Sequence, residues 1–522
     1  MTTIALGGLT LSLDTILVDG MPGDATLSHI ETDGMHRLSV TAPGAGPLSS
    51  VGLRFVVAGA SRYLRNGYHS WDGSWWAAPG TRDADEPEGK QPSLGFAMTA
   101  LQTDAATVVL GAERHDRFQT RLRFGGTAAR MTIDIETLLD ATGARSGETL
   151  LLFADAKADD ALRRWSSAVA AASPLPPRLP TRRITGWCSW YNLYAAITEE
   201  NIRDHFQAAR RFRDEQAVLF DIFLIDDGFT PEMGDWLDVK PQFPRGMKPL
   251  LGEIEAAGFT PGLWIAPFLV GNRSKLYRAN PDWAVQDRKT GGPLLAMHFY
   301  GEFRWHKRSE EYYILDITHP AAATYLANVL HTWRHDWGAR YFKADFMYHG
   351  MEHGPDRAQW HQPGLSRVEV WRRMVRIMRR AIGEDAMLAG CGAPLWASVG
   401  LFDAVRISRD VGVTMTGADQ SAESLLRDSG TRWHAHDVLW QADPDCILLR
   451  DRFHHLSDAH VETLARHAAG VGGALMTSDH LGELSPARQA LLASLLRDAE
   501  RPAPRWLPRF DVGSAPSEGA DE

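Results

Sequence analysis

Eight short apolar runs between residues 184 and 479 alternate with longer amphipathic segments, and this alternation limits the fold more than any other feature of the chain. Apolar strands that alternate with helical periods predict parallel βαβ units. Eight such units predict an α/β fold, the (β/α)8 or TIM barrel. The runs are ITGWCSW (184–190), VLFDIFLIDD (218–227), TPGLWIAP (260–267), RYFKADF (340–346), AMLAGCG (386–392), DAVRISRD (403–410), DVLWQADPD (437–445) and ALMTSD (474–479).

The clearest helical period is the segment 368–385, in which one apolar stripe lies opposite a row of arginines. Such a pattern is typical of a helix that packs on a sheet. We expect the arginines to form a solvated helix face rather than a nucleic-acid surface. They are Arg372, Arg373, Arg376, Arg379 and Arg380.

The sequence predicts three parts. Residues 1–175 contain short alternating runs between Gly, Pro and Asp turns, which predicts an N-terminal antiparallel β-sandwich. The proline-rich stretch at 172–183 reads as a linker, and the barrel is expected to occupy 176–482. Residues 483–522 are expected to form a short C-terminal helix (485–500) and a tail, in which 501–510 could add a docked strand.

Charged residues lie at or near the ends of several of the apolar runs. The C-terminal ends of barrel strands meet at one mouth, so these residues are the candidates for a functional site. Carboxylates are unfavourable beside an apolar barrel unless they are paired or used in function, and four at one rim are more than packing requires. The candidates are Asp226 and Asp227 at the end of the second run, Lys343 and Asp345 in the fourth, Cys391 in the fifth, and Arg406 and Asp410 in the sixth.

Charge and cysteine content restrict the partners and the compartment. Asp and Glu outnumber Lys and Arg by 65 to 55, and a net charge of -10 disfavours nucleic acid and anionic membranes. Three widely spaced cysteines predict neither a disulfide framework nor a zinc site. The N-terminus lacks a charged signal-peptide region, and no apolar run approaches the roughly 18 residues of a membrane span. We expect a cytoplasmic protein with a neutral small-molecule ligand.

A series of motifs resembles the bacterial α-galactosidases of glycoside hydrolase family 36, in the clan shared with families 27 and 31. The motifs occur in the family's order between about residues 180 and 480. They are GWCSWY (186–191), FLIDDGF (223–229), GDWL (234–237), GLWIAPF (262–268), YFKADF (341–346), GCGAP (390–394), VRISRD (405–410) and ADPDCILLR (442–450).

The resemblance implies a retaining, exo-acting glycosidase that releases terminal α-linked galactose. Asp345 would attack C1 of the galactosyl unit and form a covalent intermediate, while Asp410 would protonate the leaving oxygen and then activate water. No metal or other cofactor is implied. The family usually carries a C-terminal β domain, which is expected to be reduced here.

The resemblance also assigns substrate contacts. Asp226, Asp227 and Lys343 would bind the hydroxyls around C3, C4 and C6. Arg406 would lie near the 2-hydroxyl and Asp410, on the side shaped by Cys391 and Gly392. The aromatic walls would be Trp190, Trp264 and, from the NGYHSW segment (66–71), Trp71.

Other functions stay open at this point. Within the clan, the alternatives are a raffinose synthase-like galactosyl transferase and an α-N-acetylgalactosaminidase. From other classes, they are a sugar-binding protein without catalysis and a metalloprotease suggested by HGMEH (349–353), although the glycines there favour a loop over a zinc-binding helix. The sequence leaves the aglycone open, whether from melibiose, raffinose or a polymer side chain. It also leaves open the oligomeric state, including a homo-oligomer.

Overall fold

The N-terminal part of the chain folds into two facing antiparallel sheets. The computed structural model describes residues 2–82, 91–298, 309–417 and 421–499. One sheet has the order β1-β2-β6-β13-β12-β9, with β3 beside β2, and the other has the order β4-β5-β14-β11-β10-β7-β8. The strands are β1 (Thr3–Leu6), β2 (Leu9–Val18), β3 (Met21–Pro22), β4 (Thr26–Thr32), β5 (Met35–Thr41), β6 (Ser50–Ala58), β7 (Arg62–Arg65), β8 (Trp75–Ala77), β9 (Leu94–Phe96), β10 (Met98–Gln102), β11 (Thr107–Ala112), β12 (Gln119–Thr127), β13 (Arg130–Leu138) and β14 (Leu150–Asp155).

Alternating burial explains why these strands form a sandwich. In β13, Met131, Ile133 and Ile135 are buried, while the residues between them are more exposed. A period of two places every second side chain on the same face of a strand. The inner faces of both sheets therefore share one apolar core.

The second part of the chain is a curled sheet of nine parallel segments in the order β26-β25-β24-β22-β17-β16-β15-β28-β27. All eight predicted runs contain one of these segments, and the predicted barrel with its N-terminal sandwich is confirmed. The segments are β15 (Thr185–Cys188), β16 (Ile222–Ile225), β17 (Thr260–Ile265), β22 (Tyr341–Ala344), β24 (Met387–Gly390), β25 (Ala404–Arg406), β26 (Gln441–Asp443), β27 (Cys446–Ile447) and β28 (Leu475–Thr477).

The barrel closes through a broken seventh strand. β26 pairs with β25 and β27 pairs with β28, so the two ends of the sheet belong to one stretch of chain. Only Pro444 and Asp445 separate them. Proline has no N–H for a strand ladder, and Asp445 has a left-handed backbone with φ of 78°. The sequence predicted one continuous strand at 437–445, and the structure corrects this to two short segments.

One helix precedes the first barrel strand and packs on the sandwich, and the helices after it link or follow the barrel strands. They are α1 (Ala158–Ala172), α2 (Trp190–Leu193), α3 (Glu199–Gln216), α4 (Met247–Ala256), α5 (Lys275–Ala279), α6 (Pro320–His331), α7 (Arg367–Ile382), α8 (Ala422–Arg432), α9 (Asp458–Gly470) and α10 (Pro486–Ala499). Between β17 and β22 the chain adds small strands, namely β18 (Leu269–Gly271), β19 (Gln286–Asp287), β20 (Leu295–His298) and β21 (Glu311–Ile314), and β23 (Ala358–Gln359) pairs with β19. No helix in the described ranges is both long and apolar enough to cross a membrane.

Two arginines of α7 contradict the expected solvated face. Arg372 is 1% exposed and donates to the carbonyl oxygens of Ala397 and Val399. Arg379 is also buried and donates to Asp403. Both guanidinium groups hold carbonyls and a carboxylate at loops beside the barrel, which the amphipathic pattern alone did not reveal.

The sandwich is fastened to the barrel by a buried ion pair. Arg367 Nη2 lies 2.7 Å from Asp140 Oδ1, and the backbone N–H of Arg367 donates to Asp140 Oδ2 at 2.9 Å. Arg367 is the first residue of α7, so Asp140 also binds a free N–H at the start of that helix. The helix predicted at 485–500 corresponds to α10, and the docked strand expected at 501–510 lies outside the described residues.

Candidate active site

A cavity of about 300 Å³ opens at the C-terminal ends of the barrel strands. This is the end at which (β/α)8 proteins place their sites, and the volume lies at the lower end of the range for small-molecule pockets. The lining combines four carboxylates, two cations and six aromatic rings. It consists of Trp71, Trp190, Tyr191, Asp226, Asp227, Trp264, Lys343, Asp345, Phe346, Tyr348, Arg409 and Asp410.

Asp345 directly follows β22, and three groups fix its carboxylate. Trp264 Nε1 donates to Oδ2 at 2.9 Å, and the backbone N–H of Phe346 donates to Oδ1 at 2.7 Å. Lys343 Nζ lies 3.7 Å from Oδ2. Lys343 and Asp345 are two residues apart, so strand geometry places both side chains on the inner side of the barrel. The carboxylate is therefore held in one orientation at the cavity wall.

Asp226 and Lys343 form a buried pair next to Asp345. Lys343 Nζ donates to Asp226 Oδ2 at 2.9 Å, and Cys188 Sγ lies 3.4 Å from the same oxygen. Burial raises the pKa of Asp226, although Lys343 acts in the opposite direction. Burial would lower the pKa of Lys343, but the carboxylates of Asp226 and Asp345 outweigh it and raise that pKa. Lys343 is therefore a fixed cation between two carboxylates.

Asp410 lies on the wall formed by the end of the sixth strand and the sandwich. Arg406 Nη1 donates to Asp410 Oδ1 at 3.1 Å, and Trp71 Nε1 donates to the same oxygen at 3.2 Å. Asp410 keeps 27% of its side chain exposed, whereas Asp345 keeps 10%. The two acids proposed for catalysis therefore line one cavity, each with an indole N–H donor.

Trp71 reaches the cavity because Gly392 leaves room for it. Trp71 belongs to the loop between β7 and β8 of the sandwich. A Cβ atom on Gly392 would lie 2.3 Å from Cζ3 of Trp71, and Gly392 has φ of 58°, which favours glycine. Gly392 also donates its N–H to Ser70 Oγ at 3.2 Å. The second glycine of the GCGAP motif is thus one contact between the barrel and this sandwich loop.

Eight of the eleven predicted site residues line the cavity. The other three, Arg406, Cys391 and Gly392, lie behind the lining. Burial raises the pKa of the Cys391 thiol, which leaves it a neutral thiol near neutral pH. Gly392 shapes the pocket through Trp71, and Arg406 through Asp410.

Four lining residues were not predicted. Tyr191 and Phe346 were inside quoted motifs, so their neighbours could have indicated them. Arg409 precedes Asp410 and bonds to Asp428. Tyr348 belongs to the turn after the fourth strand, for which the sequence pattern suggested only metal ligands.

The HGMEH segment does not form the helix that a metalloprotease site needs. Met347–Gly350 makes a single 3₁₀ turn, and β23 follows after a loop. His349 contacts Glu352, and its ring lies 4.0 Å from that of Tyr348. Within the described ranges, no group of three His, Cys, Asp or Glu side chains is placed to hold a metal ion.

Fold and site together give a (β/α)8 protein with two carboxylates on one cavity, an arrangement that is typical of glycoside hydrolases. Residues 187–366 match the melibiase family, a range that contains Asp226, Asp227, Lys343 and Asp345. An α-galactosidase from Thermus thermophilus, solved with p-nitrophenyl α-D-galactopyranoside, is 25% identical, with a TM-score of 0.69 over 90% of this chain and 94% of that chain. The same protein was also solved with stachyose.

Other relatives extend the comparison. The family 36 α-galactosidase AgaA of Geobacillus stearothermophilus has a TM-score of 0.59 over 94% of this chain and 75% of that chain; at 11% identity, this likeness concerns the fold. α-Galactosidase 2 of Pediococcus pentosaceus is 25% identical over 190 residues, which is 36% of this chain and 24% of that protein. The match thus spans about a quarter of that relative's length. The chain is a relative of the bacterial α-galactosidases of glycoside hydrolase family 36, as its motifs predicted.

Proposed function

We propose that this protein is a retaining, exo-acting α-galactosidase that hydrolyses terminal α-linked galactose from oligosaccharides. The observation that carries the proposal is that Asp345 and Asp410 line one cavity together with Asp226, Asp227 and Lys343. A relative with similar architecture was solved with stachyose, which supports an oligosaccharide substrate.

The chemistry proceeds in two displacements. Asp345 attacks C1 of the galactosyl unit while Asp410 gives its proton to the glycosidic oxygen, so the C1–O bond breaks and a β-galactosyl ester forms. Asp410 then removes a proton from water, which attacks C1 and releases Asp345. Two inversions give net retention. In this scheme Lys343, Asp226 and Asp227 bind the sugar hydroxyls.

Galactose is favoured over N-acetylgalactosamine because Trp71 covers Gly392. The resemblance places the 2-hydroxyl on this side, where a 2-acetamido group needs extra room. The buried, free thiols of Cys188, Cys391 and Cys446 suit a reducing compartment, which supports the cytoplasm as the proposed location.

A substrate panel tests the proposal. Nitrophenyl α-galactoside should be hydrolysed at least about 10²-fold faster, in kcat/KM, than the α-glucoside or the α-N-acetylgalactosaminide, because a site that bonds the axial 4-hydroxyl rejects a sugar that lacks it. NMR should show α-galactose as the first product. Equal rates on the α-glucoside would contradict the sugar assignment, and β-galactose as first product would contradict retention.

Replacing Gly392 with alanine should move Trp71 away from Asp410. The loss of a hydrogen bond to a charged group predicts a fall in kcat/KM of about tenfold or more. Steady-state kinetics would measure it. The control is Gly364→Ala, since Gly364 also has a left-handed backbone (φ 81°) but has no neighbour among the described residues within 4 Å of an added Cβ. An equal effect of both variants would show that backbone strain, and not Trp71, is responsible.

A further inference from the structure

Arg406 binds three carboxylates behind the cavity wall. Its Nη1 donates to Asp410 Oδ1 at 3.1 Å, its Nη2 lies 2.7 Å from Asp445 Oδ1, and its Nε lies 3.5 Å from Asp443 Oδ2. Arg406 is 3% exposed and does not line the cavity. Its contact with the proposed acid/base is therefore made from behind, and the other two carboxylates decide where its guanidinium lies.

Asp445 is the best-connected of these carboxylates. Oδ1 accepts from Arg406 and from the N–H of Cys446 at 2.7 Å. Oδ2 accepts from the hydroxyl of Tyr191 and from the N–H of Val411 at 2.7 Å. Asp445 is 1% exposed, so none of these bonds is exchanged with bulk water.

Two of these bonds lead directly to Asp410. Val411 is the next residue in the chain, so its N–H bond to Asp445 fixes the backbone on which Asp410 is mounted. Arg406 fixes the Asp410 carboxyl itself. A third bond leads to the cavity, because Tyr191 is part of the lining. Asp445 thus holds the acid/base at its backbone and at its side chain.

The position of Asp445 in the fold explains how it can do this. It lies at the break between β26 and β27, where strand pairing stops, with the left-handed φ of 78°. A regular strand would point successive side chains to alternate faces. The break releases Asp445 from that pattern, and its carboxylate turns toward the end of the sixth strand.

Several titratable groups surround Asp445, so a change in its own charge would alter the forces on Arg406. The titratable groups that face it are Arg406, Asp410, Asp443, Tyr191 and Cys446. Burial raises the pKa of Asp445 to about 6, although Arg406 acts against that shift. Removing its negative charge would leave Arg406 with two carboxylates and alter its attraction to Asp410.

We propose that Asp445 is a positioning residue that, through Arg406 and Val411, aims the Asp410 carboxyl at the leaving-group oxygen. The inference rests on the proposed function and names a residue to which the family resemblance assigned no role. Asp445 is buried and does not line the cavity, so its effect must appear wherever proton donation by Asp410 limits the rate.

The test is the variant Asp445→Asn with two substrates that differ in their need for a proton. Asparagine has the size of aspartate, but its NH2 group donates hydrogen bonds, whereas both carboxylate oxygens of Asp445 accept them. Methyl α-galactoside has a leaving group that must be protonated, and its kcat/KM should fall by about 10²-fold or more. 2,4-Dinitrophenyl α-galactoside needs no proton, and its kcat/KM should stay within about threefold of wild type.

The matched control is Asp403→Asn. Asp403 is a buried carboxylate at the other end of the sixth strand, where it pairs with Arg178 and Arg379. If this variant only reduces the amount of folded enzyme, kcat/KM should fall by the same factor for both substrates. The ratio of the two kcat/KM values is therefore the readout that separates positioning from stability.

A second variant covers the case in which Asp445→Asn does not fold. Tyr191→Phe removes the hydroxyl hydrogen bond to Asp445. Its kcat/KM should fall more for methyl α-galactoside than for 2,4-dinitrophenyl α-galactoside, so that the ratio of the two kcat/KM values changes by about tenfold. Equal losses on both substrates in the folded variants would overturn the inference while leaving the proposed function intact. Failure of the wild-type enzyme to cleave either galactoside would overturn both.

Discussion

Replacing Asp345 with glycine should lower kcat by about 10⁴-fold or more, because the variant has no group that can form the covalent intermediate. Azide should restore turnover by entering the space that the carboxylate leaves. Trp264 Nε1, the Phe346 N–H and Lys343, which now surround the Asp345 carboxylate, would then face the anion. A single displacement inverts the anomeric centre, so NMR should identify β-galactosyl azide as the product.

Asp410→Gly is the matched comparison for this experiment. It keeps the nucleophile, so azide would attack the β-galactosyl enzyme and yield α-galactosyl azide. The two variants differ in one carboxylate each on the same cavity and should give opposite anomers. Wild-type turnover of Asp345→Gly without azide, or the same anomer from both variants, would remove Asp345 from its proposed role.

The largest effect on stability is expected from Asp140→Ala. This change leaves the buried Arg367 guanidinium without its carboxylate and removes a bond from the first N–H of α7. Burial would lower the pKa of Arg367, and Asp140 is the main group that raises it instead. Breaking a buried pair from one side costs about 3–5 kcal/mol in free energy of unfolding. Urea unfolding followed by tryptophan fluorescence would measure the loss.

Asp134→Ala provides the comparison within the same sandwich. Asp134 accepts two bonds from Arg54, but the Arg54 side chain is 36% exposed. Such a pair contributes about 0–1 kcal/mol to the free energy of unfolding, since water already solvates the Arg54 guanidinium. The double variant Asp140→Leu/Arg367→Met should recover part of the stability lost in Asp140→Ala. If Asp134→Ala and Asp140→Ala lost the same free energy of unfolding, the buried pair would not be what holds the sandwich to the barrel.

The barrel was predictable because its strands carry a strong local signal. Parallel strands buried on both faces read as continuous apolar runs, and each of the eight runs contains a strand. The break in the seventh strand was missed, although Pro444 within 437–445 is a sequence signal for it, because proline has no N–H for a strand ladder. The pairing of Gln441–Asp443 with one neighbour and of Cys446–Ile447 with the other shows where the strand divides.

The site was predictable where residues end strands and less so where they lie on loops. Asp226, Lys343 and Asp345 follow from strand register and from the topology of a barrel mouth. Tyr348 reaches the cavity from a loop, and its direction depends on contacts such as the stack with His69, whose rings lie 4.3 Å apart. Arg372 and Arg379 were wrongly expected on a solvated helix face. A helical pattern separates apolar from polar residues, but it does not show which polar residues contact backbone carbonyls.

The tryptophan that bonds Asp410 comes from the sandwich, although Asp410 belongs to the barrel. A barrel expressed without its amino-terminal partner would retain Asp345 and its indole donor but lose the indole donor of Asp410. Grafting a loop from a homologous sandwich would, conversely, change the cavity wall that Trp71 forms while every barrel side chain stays the same. The shape of the cavity can therefore diverge through a part of the chain that contributes neither Asp345 nor Asp410.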